Sequence, residues 1–111
     1  MANTFKNASV ANVANGSYSD LYTAPSATTT VVLGLSLANK TTNAVTVQCR
    51  FTDASDSNAT RQLLENVSIP ANTTLEVFAG QKYILETGDI LKLQCSTGSA
   101  LDAVLGVMQI T

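Results

Sequence analysis

Cysteines and carboxylates are the side chains best equipped for chemistry here, because the 111-residue chain contains no histidine. Without imidazole the commonest general base and metal ligand is missing, and with it the Ser-His-Asp and Cys-His nucleophilic arrangements. Cys49 and Cys95 close two similar stretches, Val45-Thr46-Val47-Gln48-Cys49 and Leu91-Lys92-Leu93-Gln94-Cys95. Both stretches alternate apolar with polar residues, so each thiol ends an apolar face and is expected to point inward. Two readings stay open: a disulfide joining facing sheets, as in immunoglobulin-like sandwiches, or two buried thiols acting as small hydrophobes. The second is favoured by the reducing compartment that the N-terminal sequence suggests. Neither C-x-x-C spacing nor histidine supports a metal site.

The carboxylates Asp20, Asp53, Asp56, Glu65, Glu76, Glu86, Asp89 and Asp102 fall mostly at turns or outward strand positions. That is the pattern of solvated surface charge, not of an acid and base paired across a glycosidic bond. Asp53-Ala54-Ser55-Asp56-Ser57-Asn58 offers oxygen atoms to a hard cation but lacks the spacing, central glycine and closing glutamate of an EF-hand. Tyr18, Tyr22 and Tyr83 are separated and have no tryptophan to complete a sugar-binding platform, so core or interface packing is expected of them. No glycine-rich phosphate loop occurs. The expectation is a non-enzymatic protein with no catalytic residue, no cofactor and no metal.

Composition supports this reading. At 45% hydrophobic and 13% charged residues, with net charge −2, the chain is a single domain able to bury a core. It has too little charge to cover its surface, which must be clothed in Ser, Thr and Asn or in other protein. Lys6, Lys40, Arg50, Arg61, Lys82 and Lys92 are spread along the chain, whereas nucleic-acid binding needs a dense basic footprint. The longest apolar run, Val31 to Leu37, is far shorter than the roughly 20 residues of a spanning helix. Neither nucleic acid nor membrane is an expected partner. The start Met1-Ala2-Asn3-Thr4-Phe5-Lys6-Asn7 has no apolar signal-peptide core, so the sequons at Asn7, Asn15, Asn39, Asn58, Asn66 and Asn72 read as a by-product of Asn, Ser and Thr abundance.

The elements that must position these residues follow from an apolar period of two, punctuated by Gly, Pro, Asn, Asp and Ser. Residues 1–17 read as an N-terminal arm or weak first strand, with extended segments at Ser9 to Asn15 and Ser19 to Ala24. Thr30 to Asn39 is the strongest strand, with Val31, Leu33, Leu35 and Leu37 on its core face. Ala44 to Thr52 points Val45, Val47, Cys49 and Phe51 inward and is expected to form an antiparallel hairpin with the preceding strand. A polar loop, Asp53 to Thr60, leads to Arg61 to Ile69, an expected edge strand. Thr73 to Ala79 and Gln81 to Leu85 follow. Gly88 supplies positive φ in the turn Glu86-Thr87-Gly88-Asp89. Ile90 to Ser96 and Leu101 to Ile110 are expected as a closing hairpin. Eight or nine strands make an all-β, antiparallel sandwich over residues 18–111, with an immunoglobulin-like Greek key or a jelly roll as its topology.

The last strand is apolar on both sides: Leu101, Ala103, Leu105 and Val107 on one, Val104, Met108 and Ile110 on the other. One side is therefore expected to meet another chain, or this chain's own N-terminal segment. Phe5, Val10 and Val13, together with Leu101, Leu105 and Val107, form the candidate assembly interface.

Over about Tyr22 to Thr111 the chain resembles short β-sandwich virion proteins of tailed bacteriophages, including capsid cement proteins. The resemblance lies in Tyr22-Thr23-Ala24-Pro25 leading to Val31-Val32-Leu33-Gly34-Leu35, then Ala38-Asn39-Lys40-Thr41-Thr42 and Val45-Thr46-Val47. It continues in Ile69-Pro70-Ala71-Asn72-Thr73-Thr74-Leu75-Glu76 and in Gly80-Gln81-Lys82-Tyr83-Ile84-Leu85-Glu86-Thr87-Gly88-Asp89. It implies a virion protein made in the bacterial cytoplasm, a homo-oligomer such as a trimer, and the major capsid protein or other virion proteins as partners. A neck or tail adaptor, or a carbohydrate- or receptor-binding module, are the alternatives.

Overall fold

The computed structural model describes residues 3–78 and 82–111. Nine strands are seen among them: β1 (Asn3–Val10), β2 (Ser19–Thr23), β3 (Thr29–Asn39), β4 (Val45–Asp53), β5 (Ala59–Ile69), β6 (Thr74–Glu76), β7 (Tyr83–Leu85), β8 (Ile90–Cys95) and β9 (Leu101–Ile110). A single 3-10 turn, Ala54–Asp56, joins β4 to β5. Ala79, Gly80 and Gln81, part of the expected strands and of the resemblance, lie outside the described residues.

Two antiparallel sheets pack face to face. Sheet A runs β1-β9-β3-β6, with β7 also paired to β3; sheet B runs β2-β8-β4-β5. The early strands pair with the later ones in reverse order: β1 with β9, β2 with β8, β3 with β7 and β6, and β4 with β5. The chain is thus one long two-stranded ribbon, its tip near the 3-10 turn, rolled so that successive stretches fall in opposite sheets. Of the two topologies open at the sequence level, this strand order is the jelly roll's.

Two expected hairpins are absent. β3 and β4 lie in different sheets, and so do β8 and β9. Alternation says which face of a strand is apolar, but both members of each pair have a buried face, and that condition is met equally within one sheet or across two. Asn39 helps to make the first crossing. Its buried side chain donates to the carbonyls of Asn43 (2.9 Å), Ile69 (3.1 Å) and Pro70 (3.2 Å) and accepts from the backbone N–H (2.9 Å) and hydroxyl (2.8 Å) of Thr41.

The core between the sheets is built from Val32, Leu35, Leu37, Val45, Val47, Cys49, Leu91, Leu93, Leu101, Leu105 and Val107, among others. Within β3 the expected face needs correction. A bulge between Val32 and Gly34 inserts a residue against β9, so Val32 is buried while Val31 is half-buried and Leu33 is 42% exposed. An inserted residue reverses the parity of everything on one side of it. In β4, Val45, Val47 and Cys49 are buried, Phe51 is half-buried and packed on the core, and the expected outward residue Thr52 is buried. β5 is the outer strand of sheet B.

The N-terminal stretch carries the strand β1. β1 pairs with β9 over its whole length, and Val13 beyond it sits in the core with its N–H bonded to the Leu101 carbonyl (2.8 Å). Gly88 has φ +85°, and a Cβ there would come within 2.9 Å of the Ala54 Cβ, so the turn demands glycine both for its conformation and for its approach to the β4–β5 connection.

Candidate assembly interface

Directly paired residues of an antiparallel sheet project to the same face, so the register of sheet A assigns its outer surface. Phe5 pairs with Met108, Met108 with Val31, and Val31 with Ile84. The neighbouring pairs Lys6–Val107 and Val107–Val32 belong to the inner face, where Val107 and Val32 are buried. Phe5, Met108, Val31 and Ile84 therefore form one apolar row across β1, β9, β3 and β7 on the outside of the sandwich. Phe5 is 72% exposed and Ile84 52%. Ile110, paired with Asn3 and Thr29, flanks the row on one side. On the other side Gly106 pairs with Asn7 and Gly34, beside the exposed Leu33 of the bulge. Val104, 52% exposed, follows between Ser9 and Ser36. Toward the far end of this face Glu76 accepts from Ser36 Oγ (2.8 Å) and Asp102 pairs with Lys40 (3.0 Å). Asn12 N–H and Lys40 together hold the Asp102 carboxyl below its ordinary range.

The outer face of sheet B is the chemical opposite. Asp20, Lys92, Arg50 and Gln62 line up across β2, β8, β4 and β5. Gln48 is the hub of the next row: it donates to Glu65 and Asn66 (both 2.9 Å) and accepts from the Tyr18 hydroxyl (2.9 Å) and from Gln94. The Arg50 guanidinium lies 3.7 Å from the Tyr18 ring centroid, a cation–π contact. A shallow depression of about 140 Å³ beside this network is lined by Asn15, Thr46, Gln94 and Ser96, among others. Such a surface is well solvated as it stands.

The six interface candidates separate accordingly. Val13, Leu101, Leu105 and Val107 are core residues, and Val10 is half-buried against the core. Of the six, Phe5 alone stands well out of the sandwich. The apolar alternation of β9 is real: Leu101, Ala103, Leu105 and Val107 face the core, while Val104, Met108 and Ile110 lie on the outer side of the sheet. The N-terminal segment does not cover that side, since β1 lies beside β9 in the sheet and not over it. The row completed by Val31 and Ile84 was missed, because it exists only once four strands are in register.

The groups with chemical potential are held in structural roles. Cys49 and Cys95 are free, buried and in the same sheet, where Cys49 faces Leu93 and Cys95 faces Val47. They are diagonal neighbours, so the disulfide between facing sheets is ruled out by their placement. Burial pushes the Cys49 thiol up to about 12, leaving it protonated and unreactive. Tyr83 stacks with Phe78 and meets Phe51 edge-on; burial first, then the nearby Cys49, Asp89 and Asp53, raises its pKa. Tyr22 bonds Thr30 and Gln109, so the three tyrosines sit in three separate environments. Asp53 accepts from Ser55 at the start of the 3-10 turn, while Asp56 reaches Arg61 (3.5 Å). Asp89, expected on the surface, is buried and accepts from the Ala54 and Glu86 N–H groups (3.0 and 2.8 Å). Among the described residues no cluster of three or more His, Cys, Asp or Glu could hold a metal, and no helix is long and apolar enough to cross a membrane.

No protein-family model matches the chain, and no curated protein matches its sequence. Its structural neighbours are capsid and pilus proteins. A chain of the T13 particle of infectious bursal disease virus overlaps 96% of this chain and 30% of its own length, at 11% identity and a TM-score of 0.54. A Bacillus endospore appendage protein, from a family of disulfide-linked pili, covers 96% and 84% at 9% identity and a TM-score of 0.49. A pentameric capsid protein from metagenomic phage sequences covers 94% and 63% at 18% identity and a TM-score of 0.39. The chain thus spans about a third of the length of the bursal disease virus protein, and at that identity what the two share is the fold.

Proposed function

We propose that this protein is a non-enzymatic virion structural subunit that decorates a phage capsid as a cement protein, with the outer face of sheet A against the shell and the polar face of sheet B toward solvent. The observation that carries the reading is the contrast between the two outer faces. A row of Phe5, Met108, Val31 and Ile84 left in water is unfavourable, and contact with other protein relieves it. Many copies, each contributing a modest apolar contact, reinforce a shell through their number. The fold, shared with a viral capsid protein, is compatible with this role without dictating it.

Immunogold electron microscopy of intact particles from the source virus, with antibody to this chain, tests the proposal. Label spread over the head, at a density matching the capsomers, is the expected result. Label confined to the neck or tail moves the protein to an adaptor role, and particles free of the chain by both labelling and mass spectrometry overturn a virion function.

A further inference from the structure

Each sheet of an open sandwich ends in strands with unpaired backbone groups, and folded proteins usually blunt them with bulges, charges or short length. Three of the four edges here are treated in this way. β2 is five residues long and interrupted by a register shift between Asp20 and Tyr22. β5 carries two register shifts, positive φ at Asn66 and the charges of Arg61 and Glu65. The edge opposite β1 in sheet A is split into β6 and β7, three residues each. β1 is the least guarded: its eight residues pair with β9 without a break, Asn3 to Asn7 are all exposed, and one charge, Lys6 on the inner-face side, is its single guard.

We infer that the free edge of β1 pairs antiparallel with β1 of a second copy of this chain, about a two-fold axis at Phe5. Strand addition at this least guarded edge calls for an extended strand as partner. A head-to-tail contact between copies would need a second open edge, which the other three do not offer. A two-fold contact uses the same edge twice and closes. Centred on Phe5, the pairing sets Phe5 beside its counterpart, Asn3 opposite Asn7, and Lys6 opposite Thr4, so no like charges meet across the strands. The two apolar rows then become one, running through Ile84, Val31, Met108 and Phe5 of each copy on a continuous sheet. The inference rests on the assembly-subunit reading only for what that joined face meets.

The test is sedimentation equilibrium of the full chain over a concentration series, with Phe5→Lys and Phe5→Glu variants alone and mixed, and circular dichroism as the control for folding. The wild type is expected to dimerise. Each variant alone should fold but dimerise at least about 30-fold more weakly, the scale of an interface hot spot. An equimolar mixture should recover dimers, because opposite charges then face each other across the axis. A wild type that stays monomeric, variants that dimerise normally, or a mixture that fails to recover overturns the inference. Pelleting the wild type with particles stripped of this chain separates it from the function proposed above: a wild type that binds the particles yet stays monomeric overturns only the two-fold pairing, whereas a wild type that dimerises but ignores the particles overturns only the capsid role.

Discussion

Val104 and Leu105 are neighbours on β9 that point opposite ways, so substituting each in turn separates folding from assembly. Leu105 is fully buried between Ala8 and Leu35. Leu105→Ala removes buried methyl groups and leaves a cavity between strands held by ladders on both sides, a change that costs about 2–5 kcal/mol. That is a large share of a domain's typical ~5–15 kcal/mol. Val104 lies between Ser9 and Ser36 and is already 52% exposed. Full burial of a valine is worth about 1.5 kcal/mol at the low end of its range, so about half is at stake, and weaker strand propensity adds a few tenths. Val104→Glu should therefore cost only about 1 kcal/mol in folding. Against the shell it would place an unpaired carboxylate in a dry contact, and binding should fall at least about tenfold. Urea unfolding followed by circular dichroism measures the first effect, and co-sedimentation with particles stripped of this chain measures the second. If Val104→Glu binds like the wild type, the outer face of sheet A does not meet the shell. If it unfolds as readily as Leu105→Ala, the assignment of faces is wrong.

Three further outcomes follow from the fold. Asn39→Ala removes the donor and acceptor atoms that bridge 41–43 to 69–70, so urea titration should show a loss of about 2–4 kcal/mol. Thr52→Val replaces a buried hydroxyl that has no protein partner with a methyl group, and should raise stability by about 1 kcal/mol in the same assay. With the Cys49 thiol pushed up to about 12 from 9.0 and Tyr83 raised as well, the folded state keeps protons that the unfolded chain releases. Stability from these groups is fully present below pH 9 and is lost as pH rises from 9 toward 12, by a few kcal/mol in all. Unfolding midpoints measured across that range check the slope, and Cys49→Ser should flatten it.

Sequence alone determined the parts of this protein that depend on near neighbours. A period of two made the chain all-β, put Val45, Val47 and Cys49 of β4 and Leu91 and Leu93 of β8 inward, and placed a positive-φ glycine at residue 88. It also exposed the excess of apolar residues on β9, from which a buried outer face could be expected. Phe5 was recognisable as an apolar residue stranded among polar ones. Tertiary structure decided the rest. Backbone hydrogen bonds are the same for every residue, so alternation cannot say which sheet a strand joins, and the β3–β4 and β8–β9 connections cross between sheets with the same pattern a hairpin would show. The bulge at Val32–Gly34 changed which valine is buried through a single inserted residue that leaves no composition signal. That Leu101, Leu105 and Val107 take the core side of β9 was hidden for a related reason: two apolar faces look alike until one is covered. Met108, Val31, Phe5 and Ile84 are scattered through the sequence, and only the register of four strands, set by pairing at long range, brings them into one row.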